Sequence, residues 1–99
     1  MPELPPASAG MKTLLTAPLR EAGSTAGSFS AAAGELDVTM FCTDGDLVVH
    51  LDPVSTTTIP CPPGVVTPVK DVFHLGSPKD LTVRVEAPPG ARWNMRIEQ

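Results

Sequence analysis

From Glu35 to Cys42 the chain alternates without a break. Leu36, Val38, Met40 and Cys42 fall on one side of an extended backbone, with Glu35, Asp37, Thr39 and Phe41 on the other. Period two over eight residues is the mark of a strand with one face on a core and one mostly in water. Asp44-Gly45 follows, and that dipeptide takes the φ > 0 conformations of a tight hairpin turn. Leu47, Val49 and Leu51 then resume the alternation, and Pro53 ends it. A short strand with Ile59 and Cys61 inward closes the stretch, and Pro60 places it at a sheet edge.

Composition agrees with this beginning. Twelve prolines and eight glycines are spread over 99 residues. Each interior proline costs a helix about 3 kcal/mol and each glycine about 1, so short strands joined by turns are the better solution. The same alternation recurs at Leu81, Val83 and Val85, again at Trp93, Met95 and Ile97, and less cleanly at Val69, Phe73 and Leu75. Gly76 to Asp80, Pro62-Pro63-Gly64 and Pro88-Pro89-Gly90 separate these runs. About seven strands at such intervals describe an all-β chain, a small antiparallel β-sandwich of immunoglobulin-like type. Residues 28–99 form the sandwich. Residues 1–27 are mostly small, polar and proline-bearing, and are expected to form a flexible tether or stalk, in which Met11, Leu14, Leu15 and Leu19 leave a short helix or an edge strand open.

Two cysteines bear on compartment. Cys42 and Cys61 share the inward phase of their strands, and a disulfide between them would contribute about 3 kcal/mol in the chain-entropy model. Two buried free thiols are the competing reading. A cysteine-based metal site would need Cys-x-x-Cys spacing, which is absent. A disulfide implies an oxidising compartment, hence an extracellular or cell-envelope location. Met1-Pro-Glu-Leu-Pro-Pro has neither the basic start nor the apolar run of a secretory leader, so export is expected from the cysteines alone.

The quoted segments resemble a family. An alternating strand into Cys42, the Thr-Asp-Gly-Asp turn, Leu47-Val48-Val49, Cys61, Asp80-Leu81-Thr82-Val83-Arg84-Val85 and Gly90-Ala91-Arg92-Trp93 look like the small secreted β-sandwich proteins and lipoproteins of actinobacteria. The resemblance covers roughly residues 28–99. It implies one exported or tethered β-sandwich domain and supplies no catalytic residues. The lipid-bearing cysteine of that family has no counterpart here.

Charge and motifs narrow the function further. The net charge is −4 with Lys and Arg scattered singly, so no basic stripe serves nucleic acid. No run approaches the roughly 18 apolar residues of a membrane span. His50 and His74 fall on outward faces and would need adjacent strands to share a metal with Asp52 or Asp71. Asp44, Asp46 and Asp52 form the densest acidic group and leave a calcium site open, although turn chemistry explains Asp-Gly-Asp. No serine sits in a Gly-x-Ser-x-Gly elbow. Neither an enzyme nor a cofactor protein is expected.

A non-catalytic binding or scaffold module with a protein or cell-envelope partner is the first functional expectation. A small-ligand carrier with an inter-sheet pocket and a secreted inhibitor presenting a rigid loop are the alternatives. The expected contact surface joins two loops around Ile59-Pro60-Cys61, with Val54, Thr56 and Val65 as its contact residues.

Overall fold

A computed structural model describes residues 3–99. Eight strands succeed one another: β1 (Thr13–Glu21), β2 (Ser24–Ala31), β3 (Gly34–Thr43), β4 (Leu47–Asp52), β5 (Ser55–Ile59), β6 (Thr67–Leu75), β7 (Lys79–Glu86) and β8 (Arg92–Glu98). They form two antiparallel four-stranded sheets of order β1-β8-β3-β6 and β2-β7-β4-β5. The described residues contain no helix long and apolar enough to cross a membrane.

The all-β sandwich is as the alternation demands, but its strand order differs from the immunoglobulin one. The pairs β1·β8, β2·β7, β3·β6 and β4·β5 are nested, as though one long hairpin had been rolled up and closed by β3·β8 and β4·β7. That is the jelly-roll arrangement of two Greek keys; an immunoglobulin sandwich would group its strands differently.

The jelly-roll order changes the meaning of the Asp44-Gly45 turn. It joins no hairpin, because β3 and β4 lie in different sheets. It carries the chain across the sandwich, as do the β1–β2, β5–β6 and β7–β8 connections at the same end. The true hairpin is β4–β5, in register from Leu47↔Ile59 to Leu51↔Ser55. Ser55–Ile59 is therefore strand throughout, and Thr56 lies within it rather than in a loop.

Residues 13–27 also depart from the tether. They build β1 and the first half of β2, with Ala17 fully buried. Register shifts between Thr13 and Leu15, between Ala17 and Arg20, and at Gly27 break period two. Small residues supply little hydrophobic contrast there, so these strands escape a pattern reading. The segment before β1 is held as well. Lys12 and Gln99 exchange backbone hydrogen bonds at 2.8 Å, the Ser8 amide donates to Glu98 Oε2 at 2.9 Å, and Arg96 donates to the Pro5 carbonyl. The tether's first two residues lie outside the described part.

The core contains the inward residues expected from the alternation. Leu36, Val38, Met40, Leu47, Leu51, Leu81, Val83, Val85, Met95 and Ile97 are buried, as is Trp93, which is 0% exposed. Trp93 donates its indole N–H to the Ala22 carbonyl at 3.0 Å. Cys42 at the end of β3 and Cys61 just beyond β5 form a disulfide with Cα atoms 5.7 Å apart. One cysteine belongs to each sheet, so the bond bolts the two layers together.

Candidate contact surface at the crossing-turn end

Four of the six connections that cross between the sheets meet at one end of the sandwich, and two of them repeat a local sequence. Pro62-Pro63-Gly64-Val65 closes with Val65 N–H to the Pro62 carbonyl at 3.4 Å and Gly64 at φ +72°. Pro88-Pro89-Gly90-Ala91 closes with Ala91 N–H to the Pro88 carbonyl at 3.2 Å and Gly90 at φ +89°. Proline at the second position and glycine at φ > 0 in the third are what a type II turn requires. The chain therefore carries twin Pro-Pro-Gly turns at the same end.

The Asp44-Gly45 turn is wedged between them. Asp44 Oδ1 accepts the Gly64 amide at 3.0 Å, and its Oδ2 lies 3.5 Å from Arg92, just after the other turn. Gly45 donates to the Cys61 carbonyl at 2.9 Å. A Cβ on Gly45 would lie 2.5 Å from Pro88 Cγ, so only glycine permits this approach. Asp46 Oδ1 accepts the Cys61 amide at 3.3 Å. The Gly64 amide, above all, holds the Asp44 carboxyl below its ordinary range, helped by the Thr43 hydroxyl and Arg92.

These restraints fix the backbone of residues 61–66 while leaving its side chains in water. Val65 is 54% exposed and Val66 38%. Pro62, Pro63, Pro88 and Pro89 are exposed at the same end. The result is a braced apolar platform with the Asp44–Arg92 pair and the exposed Asp46 at its margin.

The three expected contact residues do not come together. Val65 lies on this platform. Val54 sits on the β4–β5 hairpin at the opposite end, separated by the length of β5. Thr56 points outward from the middle of β5 and hydrogen-bonds His50 Nδ1 at 3.2 Å. Alternation along β5 could have shown this, since it places Thr56 and Thr58 on one face and Ile59 on the other. The platform itself is invisible in the sequence because pairing the two Pro-Pro-Gly turns requires the jelly-roll order.

The acidic group separates too. Asp44 and Asp46 are engaged by backbone amides at the platform, whereas Asp52 lies at the far end of β4 and accepts a hydrogen bond from Arg84 Nε at 2.7 Å. That bond pulls the Asp52 carboxyl down and pushes Arg84 up. His50 belongs to the β2-β7-β4-β5 sheet and His74 to the other, so they share no site. Among the described residues, no three His, Cys, Asp or Glu side chains are grouped to hold a metal ion.

The outer face of the β2-β7-β4-β5 sheet carries a polar cross-strand ladder. Thr56, His50 and Glu86 form one chain, with His50 Nε2 2.7 Å from Glu86 Oε2. Ser28 meets Thr82 at 2.8 Å, and Ser30 donates to Asp80 at 2.6 Å. Hydroxyl, imidazole and carboxylate in series resemble a nucleophile, base and orienting acid. Here they span three strands of an open sheet, where such pairs tie strands together.

Between the sheets lies a cavity of about 20 Å³, lined by Met40, Leu51, Phe73, Val83 and Met95 among others. That is room for roughly one water, against roughly 300–1,000 Å³ for an ordinary ligand pocket. A larger open cleft of about 510 Å³ lies outside the sandwich, between Glu3-Leu4 and Thr16, Pro18, Leu19, Asn94 and Arg96.

No protein-family model, no curated protein and no solved structure matches the chain.

Proposed function

We propose that this protein is a non-catalytic binding module of an oxidising compartment, extracellular or at the cell envelope, that contacts a protein partner through its crossing-turn end. The observation that carries this reading is the pairing of rigidity with exposure at Val65 and Val66. Ordering a loop costs roughly 1–2 kcal/mol per residue in backbone entropy. Here the Cys42–Cys61 disulfide and the amide bonds to Asp44 and Asp46 meet that cost. The two valines meanwhile keep 54% and 38% of their surface open to solvent. A pre-ordered apolar tip gives a partner buried surface without a further ordering penalty.

The sheet edges are poorer docking sites. β1 has Pro18 and two register shifts, β2 a shift at Gly27, and β5 is only five residues long and flanked by Pro53 and Pro60. β6 carries Pro68, Lys70 and the half-buried Asp71 lining the inter-sheet cavity. Such features oppose the addition of another strand. The small inter-sheet cavity gives the carrier reading little support, and a rigid loop suits either a scaffold or an inhibitor. An exported location accords with the small actinobacterial secreted proteins and lipoproteins that the sequence resembles.

The test is Val65→Ser on the intact chain. Its Tm should stay within a few degrees of the parent, while retention of a partner from cell-envelope extract falls. Undiminished retention by Val65→Ser, with loss on Val54→Ser instead, would move the contact to the opposite end.

A further inference from the structure

Resting on that binding reading, we propose that the platform recognises exposed aromatic side chains on a protein partner with a basic rim. The twin Pro-Pro-Gly turns are the reason. Pro62, Pro63, Pro88 and Pro89 present four exposed rings on backbone that the Asp44-Gly45 wedge fixes from both sides. Proline rings lose no rotamer entropy on contact. Their C–H bonds next to nitrogen are polarised toward positive charge, which suits the negative face of an aromatic ring. Proline-rich ligands dock in aromatic-lined grooves on the same principle. Prolines also bring no N–H, so closing a partner over these turns buries few unpaired donors.

The occupant is not a second copy of this chain. Trp93 is fully buried, Phe29 and Phe73 are partly buried against the core, Phe41 is partly buried in β3, and tyrosine is absent. A copy therefore offers no fully exposed phenyl or indole ring. Charge sets the rim: Asp44 is paired with Arg92, whereas Asp46 is exposed with no cation beside it among the described ion pairs, in a chain of net charge −4. Lysine or arginine flanking the partner's aromatic residue complements it.

The experiment is a two-dimensional NMR titration of the 15N-labelled full chain with N-acetyl-tryptophanamide, run beside N-acetyl-leucinamide. Tryptophanamide should bind about three- to tenfold more tightly, with shifts confined to the amides of Gly64, Val65, Val66, Gly90 and Ala91. Pro63→Ala with Pro89→Ala should weaken the tryptophanamide response and leave the remaining spectrum in place. If that pair unfolds the chain, the two amides on the parent protein still decide. Equal responses at this end would overturn the aromatic preference and leave an unselective apolar contact at Val65. Shifts scattered over the sheets, or centred elsewhere, would overturn the proposed site.

Discussion

The Asp44 carboxylate accepts the amide N–H of Gly64 at 3.0 Å across the crossing-turn end. One side chain thus joins the β3–β4 turn to the first Pro-Pro-Gly turn, and through Arg92 it reaches the second. Asp44→Ala removes both links, and Asp44→Asn keeps an acceptor without the charge. Amide exchange at Gly64 should accelerate strongly for alanine and modestly for asparagine, while core amides such as those of Val83 and Met95 stay protected.

The same carboxyl sets an acid sensitivity. Its pKa is lowered in the folded state, chiefly by the Gly64 amide, from an ordinary value of 3.8. Its stabilising contribution is therefore fully present above that value and disappears as pH falls through the lower, folded one. Asp52, drawn down by Arg84, behaves alike. Stability should stay flat in these groups from neutral pH to about 5 and decline below about 4. Asp44→Asn should flatten part of that decline in an acid-denaturation series.

Joining the sheets through Cys42 and Cys61 should contribute about 3 kcal/mol. Reduction, or Cys42→Ala with Cys61→Ala, should lower the unfolding free energy by that amount, read as a drop in the denaturant midpoint. Thiol counting on the unfolded, unreduced protein should find none.

Trp93 fills the core between the layers and satisfies its indole N–H on Ala22. Trp93→Ala should cost about 3–5 kcal/mol. The native emission should be blue-shifted and resist quenching by iodide.

Asp37 lies directly opposite Glu98 in the β3·β8 ladder, and its Oδ1 is buried without a hydrogen-bond partner among the described residues. Like charges in that position destabilise by roughly 0.2–1 kcal/mol. Asp37→Asn should therefore raise the denaturant midpoint slightly, an unusual direction for a change at a half-buried site.

The fold is legible in the sequence wherever hydrophobic contrast survives. β3, β7 and β8 alternate valine, leucine, methionine and tryptophan with charged residues, so their faces can be read residue by residue. The cysteine pair is legible for the same reason, since both residues share the inward phase. β1 and β2 are not: bulges at Pro18 and Gly27 shift the phase, and Ala17 is a core residue too small to signal it. The Asp-Gly turn is recognisable as a turn, but nothing local tells a hairpin from a crossing between sheets. Of the contact surface only Val65 can be found, because the turn carrying Pro88 and Pro89 is brought to the same end, across the Asp44-Gly45 turn, by tertiary order alone.

Recognition by the crossing-turn end requires that it be ordered before any partner arrives. Backbone 15N relaxation of the free, oxidised protein tests this most directly, at the amides of Gly64, Val65, Val66, Gly90 and Ala91. Order parameters of about 0.85, equal to those of β3 and β8, are the expected result. Values below about 0.6 at these amides, beside a rigid core, would contradict it.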